Sequence, residues 1–264
     1  MPFPDAPRVF YRKNPLEQVI CQLRFPPVLR IDTELPAKFQ EHLRGDFPNF
    51  AETPDARIEI TRGVGDQIPP EIARQILQSI TTKNYAFSTS DGSYVVNLAR
   101  SFLSLTTTSY ERWEVFKDRL ALPLQALHEN YSPPYFSRVG LRYVNVIVRS
   151  KVGLPGVAWR DLLSSSLIGL LGSPETAESV QAFESVHEIR LTERGGGARI
   201  AAKLVRRGDS QEVAFMLDSD FFDTSRTDSD RATERLDFFN LRASRLIRWS
   251  IKEPLHAAMD PELI

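Results

Sequence analysis

Apolar and polar positions alternate along Val19-Ile-Cys-Gln-Leu-Arg-Phe25, with Val19, Cys21, Leu23 and Phe25 on one side and Gln22 and Arg24 on the other. Period two with β-branched and aromatic side chains predicts a half-buried strand. From Glu34 to Phe47 the period becomes four: Leu35, Phe39, Leu43 and Phe47 line one face of a predicted helix that Pro48 closes. Arg57–Thr61 alternates again as a short strand. Gly63–Ser79, interrupted by Pro69-Pro70, predicts a loop followed by a short helix. Strands are expected at Tyr85–Ser88, Tyr94–Leu98 and Phe102–Thr107, with turns at Ser90–Ser93 and Arg100–Ser101. Thr108 and Glu111 then have capping-box spacing. Trp113, Phe116, Leu120, Leu124, Leu127 and Tyr131 form the stripe of a long helix, which Pro123 is expected to bend.

The second half follows the same plan. Arg138–Val148 reads as a strand, Trp159–Leu171 as a helix and Gln181–Thr192 as extended chain. Gly195–Gly197 turns into a return strand at Arg199–Val205, and Arg207–Ser210 turns into Glu212–Leu217. After an acidic loop ending at Asp230, Leu236, Phe239, Ala243, Leu246, Ile247 and Ile251 mark a second long helix, limited by Pro254. The order strand, helix, antiparallel strands, long helix thus occurs twice. Leu23-Arg-Phe25 and Leu141-Arg-Tyr143 hold the same place in each copy, 118 residues apart.

This predicts an α+β fold of two pseudo-repeated units, residues 1–134 and 135–264, sharing one curved antiparallel sheet with the helices on one face. Such pairing hides edge strands and gives both long helices one surface on which to bury their stripes. Two independent α+β lobes joined near Ser132–Pro134 are the alternative. Each unit resembles the strand–helix–strands–helix module of the TATA-binding-protein fold and of helix-grip proteins.

Composition narrows the function. The chain has 264 residues, 42% of them hydrophobic and 25% charged, which excludes a disordered chain and a fibre. A formal net charge of −1 argues against a non-specific polyanion binder. One cysteine, Cys21, excludes an intramolecular disulfide and a thiolate metal cage. The first residues lack a basic stretch followed by an apolar run, and no window approaches a membrane span, so a cytoplasmic protein without membrane association is expected.

The candidate chemistry is sparse. Cys21 lies in phase with Val19 and Leu23 and reads as core rather than as a nucleophile. His42, His128, His187 and His256 lack metal-ligand spacing. His187 shares a face with Phe183, Ile189 and Leu191 and is expected to be a satisfied, partly buried side chain. Asp218 and Asp220 share a strand face, with Asp223, Asp228 and Asp230 following. A Mg²⁺ site is the lesser reading there, and helix-dipole complementation the favoured one. No phosphate-binding glycine loop or catalytic motif is present, so no cofactor is expected and the balance is against an enzyme.

Arg24 and Arg142 lie opposite the apolar faces of corresponding strands. Paired first strands would bring them together near a pseudo-twofold axis, flanked by Gln22 and Arg138, as a surface for phosphate or carboxylate. Ordinary solvated arginines are the competing reading. Asn145 shares the inward face with Tyr143, so it reads as a hydrogen-bonded anchor or as the rim of a small pocket.

Tyr11-Arg-Lys-Asn-Pro-Leu16, Phe47-Pro48, Tyr85–Gly92, Tyr110–Phe116, Gly140-Leu-Arg-Tyr-Val-Asn145 and Trp249-Ser-Ile251 resemble a sporadically distributed family of uncharacterised bacterial and archaeal proteins. The patchy distribution implies a role in a mobile toxin–antitoxin or phage-defence system, and the resemblance carries over no catalytic residue. The leading expectation is a non-catalytic interaction protein whose partner is another protein, one encoded nearby being the first candidate, with self-association also open. Nucleic-acid binding through the sheet face and a small-molecule pocket between sheet and long helix are the alternatives.

Overall fold

The structure is a computed structural model that describes residues 2–54, 83–192, 194–207 and 212–263. In chain order it contains β1 (Val9–Tyr11), β2 (Leu16–Arg24), the short helices α1 (Arg30–Thr33) and α2 (Ala37–Leu43), and β3 (Asn49–Pro54). Next come β4 (Lys83–Ser88), β5 (Tyr94–Ala99), β6 (Phe102–Thr107) and the long helix α3 (Trp113–Tyr131). The second half contains β7 (Arg138–Ile147), α4 (Trp159–Leu162), α5 (Ser165–Ile168), β8 (Glu184–Arg190), β9 (Gly197–Arg207) and β10 (Glu212–Asp223). It ends with the long helix α6 (Ala232–Ser250), α7 (Glu253–Ala258) and β11 (Pro261–Leu263).

Among the described residues, nine strands form one antiparallel sheet in the order β3–β4–β5–β6–β2–β7–β10–β9–β8. The fold is therefore mixed α and β around a large antiparallel sheet. The central pair is β2 with β7, Cys21 facing Leu141 and Gln22 facing Gly140. The sheet thus runs unbroken from one half of the chain to the other, and the break near Ser132–Pro134 required by separate lobes is absent from it. β1 and β11 form a separate two-stranded ribbon that brings the described ends together.

Alternation decides which side chains enter the core. Val19, Cys21 and Leu23 of β2, Val139, Leu141 and Tyr143 of β7, and Phe215, Leu217 and Phe221 of β10 are all buried. They join Phe39 of α2, Phe116 and Leu127 of α3, and Leu236, Phe239 and Leu246 of α6 in one hydrophobic cluster. α3 packs on β6 and α2, and α6 packs on β7 and β10. Residues of opposite parity make a smaller apolar group, with Val146, Val148 and Ala214 at its centre.

Several local expectations need correction. The helix expected from Glu34 is α2 and begins at Ala37, because Pro36 occupies its N-cap, and Leu35 falls outside the stripe with two-thirds of its surface exposed. Thr108 and Glu111 do not cap α3: Arg112 holds the N-cap position with no side-chain bond, and the Thr107 hydroxyl instead accepts the Ser109 N–H at 3.1 Å. α3 runs through Pro123, whose ring is buried. The expected helix from Trp159 to Leu171 is broken into α4, α5 and a 3-10 turn at Gly169–Gly172, with Gly169 at φ +48° closing α5.

β10 continues past Leu217 to Asp223, so three carboxylates expected at its end or in a loop belong to the strand. β3 precedes the strand expected at Arg57–Thr61; that segment and Gly63–Ser79 lie outside the described residues, as does most of the Arg207–Ser210 turn. The β8–β9 turn forms where Gly195-Gly-Gly197 predicts it. Gly196 has φ +88°, and a Cβ there would lie 2.6 Å from the Phe222 carbonyl oxygen, so glycine is required on both counts.

Candidate functional site

Where α6 lies over β7 and β10, packing is incomplete. A cleft of about 120 Å³ opens between the inward row of the sheet (Tyr143, Asn145, Leu217, Ser219) and one face of α6 (Asn240, Ala243, Ser244, Ile247). Its other walls are the β6–α3 junction, Tyr110 to Trp113, and the N-terminal segment that includes β1. The β1–β11 ribbon is fastened there by the Tyr11 hydroxyl and His256 Nδ1, 2.8 Å apart, and by the Arg12 N–H donating to the Asp260 carbonyl at 3.1 Å.

The sequence places these groups by simple rules. Parity puts Tyr143 and Asn145 on the inward face of β7 and Leu217 and Ser219 on that of β10. Leu217 is directly opposite Asn145 and Ser219 opposite Tyr143. Along α6, Asn240, Ala243 and Ser244 follow at the three- and four-residue steps of one helix face. Small residues at 219, 243 and 244 leave the space that larger ones would fill.

The polar inventory is specific. The Tyr143 hydroxyl donates to Asn240 Oδ1 at 2.9 Å. Tyr110 meets Tyr143 edge to face with ring centroids 6.0 Å apart. Burial raises the pKa of both phenols, so both remain neutral at ordinary pH. Asn145 is 7% exposed, and its side-chain amide has no hydrogen-bond partner among the described residues. Asn145 lines the cleft. Arg8, at the mouth, donates to Glu114 at 3.1 Å.

On the opposite face of the sheet, the candidate arginines do not come together. Arg24 pairs in register with Arg138 and Arg142 with Ile20, which separates Arg24 and Arg142 by four positions along the strands. The Arg138 guanidinium instead clasps Asp220 at 2.8 and 2.9 Å and lies 5.4 Å from the centre of the Phe222 ring. Arg142 binds Asp218 through Nε at 2.7 Å and through Nη2. Gln22 Oε1 accepts from Arg24 Nε at 3.1 Å and from Arg138 Nη1 at 3.4 Å. Gly140 makes room for this layer, since a Cβ there would strike the Arg138 guanidinium.

Both carboxylates weighed for Mg²⁺ are thus engaged by arginine, and no cluster of three or more metal-binding side chains occurs among the described residues. Burial raises the Asp220 pKa against the pull of Arg138. Asp223 turns inward, is 3% exposed and bonds Arg235 and Ser225.

The remaining candidates are dispersed. Cys21 is fully buried, and burial raises its thiol pKa to about 12. His42 is exposed, bonding the Lys38 carbonyl at 2.7 Å and Glu129 at 2.7 Å. His128 sits edge-on to Phe136. His187 faces the same side as Ile200 but is exposed, contrary to expectation, because β8 is the last strand of the sheet. It lies outside the cleft. Asp228 and Asp230 are exposed beside the start of α6. No helix among the described residues is long and apolar enough to cross a membrane.

The site residues sequence reasoning missed are Tyr110, Asn240 and Ser244, while Ala243 was placed in the helical stripe but not in a site. The signal available for Asn240 and Ser244 was a break in apolar character on the inward face of α6. No protein-family model matches the chain, and no curated protein matches it.

Proposed function

We propose that this chain is a small-molecule-binding protein of the helix-grip kind, holding a neutral ligand between the sheet and α6. The observation that carries the reading is Asn145, which lines the cleft from the inward face of β7 and bonds no other described side chain or backbone group. A carboxamide on the wall of a cleft offers a ligand an acceptor oxygen and two donor hydrogens. The finer reading of the fold, a duplicated module with its helices on one sheet face, draws support from the strand order. In each half the last strand lies beside the first, β6 with β2 and β10 with β7, and the two first strands pair centrally. An offset of 118 residues puts the pseudo-twofold axis at the Gln22–Gly140 pair, within the stretch paired from Gln18 to Arg24.

Filling the cleft tests the binding role. Ala243→Phe is expected to abolish the binding of phenol, a neutral single-ring probe, at the cleft while the circular dichroism of the sheet and helices is preserved. Phenol-induced NMR shifts at Tyr143, Asn145 and residue 243 are the readout. Absence of any such shift in the wild-type protein at millimolar phenol removes the reading.

A second reading, a macromolecular partner on the opposite face, is favoured by the exposure of Arg24 and Arg142 and by the way Gln22 and Asp218 orient them. A protein encoded nearby is the first partner to try, with nucleic acid and a second copy of the chain as alternatives. Arg24→Glu with Arg142→Glu is expected to abolish co-elution of the purified chain with the products of neighbouring genes. No complex with any of these, or one indifferent to the double substitution, defeats this reading; a complex with DNA or RNA at low salt would transfer it to the nucleic-acid class.

A further inference from the structure

We infer that the group received by Asn145 is the lactam edge of a neutral single-ring heterocycle, in which a ring N–H stands beside a C=O. The inference rests on the cleft reading above and adds the chemical class of the ligand. A primary carboxamide presents an acceptor oxygen and two donor hydrogens in one plane. Two parallel hydrogen bonds therefore require a partner that offers a donor and an acceptor side by side, the logic by which asparagine reads a base edge. Asn240 adds a second polar contact of the same kind. Its Oδ1 accepts from Tyr143, which leaves its Nδ2 hydrogens for a second carbonyl on the ring.

Size and charge narrow the class. The cleft, about 120 Å³, is slightly smaller than a cavity of about 150 Å³ that holds benzene, so it takes one ring and leaves any larger substituent in the mouth. Tyr110, Tyr143 and Trp113 supply flat aromatic walls. The groups that the sheet and α6 present, Asn145, Asn240, Tyr143, Ser219 and Ser244, are all uncharged; of the charged lining residues, Glu111 and Arg112 are exposed and Arg8 is engaged by Glu114. A charged ring would be buried there without a counter-charge.

Uracil, which has a lactam edge, and phenol, a ring of the same size without one, distinguish the ligand class from the cleft reading. NMR titration of the wild-type chain is expected to show uracil binding at least tenfold more tightly than phenol. Asn145→Leu is expected to reduce uracil affinity at least tenfold and to abolish its advantage over phenol. If both probes bind equally, or uracil binds Asn145→Leu as it binds wild type, the lactam class is overturned and the cleft reading stands. If neither binds the wild-type chain, both fall together. The wild-type comparison needs no variant, so a misfolded Asn145→Leu protein does not shield the inference.

Discussion

Phe239→Ala is expected to lower the unfolding free energy by about 3–5 kcal/mol, the usual range for truncating a fully buried phenylalanine. Phe239 has no exposed surface and touches Phe221 of β10 and Phe238 of α6, with ring centroids 6.5 and 5.9 Å apart. It is the point at which α6 is pressed onto the sheet, one residue before Asn240 and one turn before Ala243. The loss combines transfer of the ring to water with a cavity that the flanking strands cannot collapse to fill. Loosening α6 also widens the cleft, so probe binding should fall with stability. Urea titration checks the first effect, and Phe239→Leu should cost much less. A Phe239→Ala protein within about 1 kcal/mol of wild type would mean that α6 is anchored elsewhere.

Asp223→Ala is expected to cost a comparable amount, about 3–5 kcal/mol. Its carboxylate is nearly inaccessible, accepts the Ser225 N–H at 2.8 Å and the Ser225 hydroxyl at 2.7 Å, and pairs with Arg235. Alanine would leave the Arg235 charge, itself mostly buried, without its counter-ion and the Ser225 amide without its acceptor. Burial alone would raise the Asp223 pKa, but the Ser225 bonds and Arg235 together lower it below the ordinary aspartate value. A folded-state pKa below the unfolded one means that the contribution is complete above the unfolded value, about 3.9, and disappears as pH falls through the folded value. The gap between wild type and Asp223→Ala should therefore be constant near neutrality and close on acidification below about pH 4. A gap that stays constant down to pH 2 would show that the deficit comes from packing and not from charge.

The two arginine pairs show where sequence reading stops. Alternation correctly puts Arg138 and Arg142 on one face of β7, and Asp218 and Asp220 share one face of β10. Nothing local says which arginine meets which aspartate 76 and 82 positions further along the chain. The register of β7 against β10 and the reach of each guanidinium decide it: Arg142 lies directly opposite Asp220 yet bonds Asp218 diagonally, and Asp220 goes to Arg138. The expected meeting of Arg24 and Arg142 failed for the same reason: antiparallel register puts Arg24 beside Arg138. His187 illustrates the complementary error. Its parity was right, but parity does not report that a strand is last in a sheet, with no helix above it.

The sequence by itself determined the alternation of β2 and β7, the stripes of the two long helices, the glycine turn before β9 and the burial of Cys21. Each of these is a repeat of side-chain polarity, or a backbone requirement, within a few residues. Only the tertiary structure decided that Asn145 remains unpaired and that Tyr110, Asn240 and Ala243 surround it. Those groups come from separate segments, and the space among them is set by how closely a helix can approach a sheet whose facing side chains are small. A local pattern tells which way a side chain points; what it meets there depends on long-range packing.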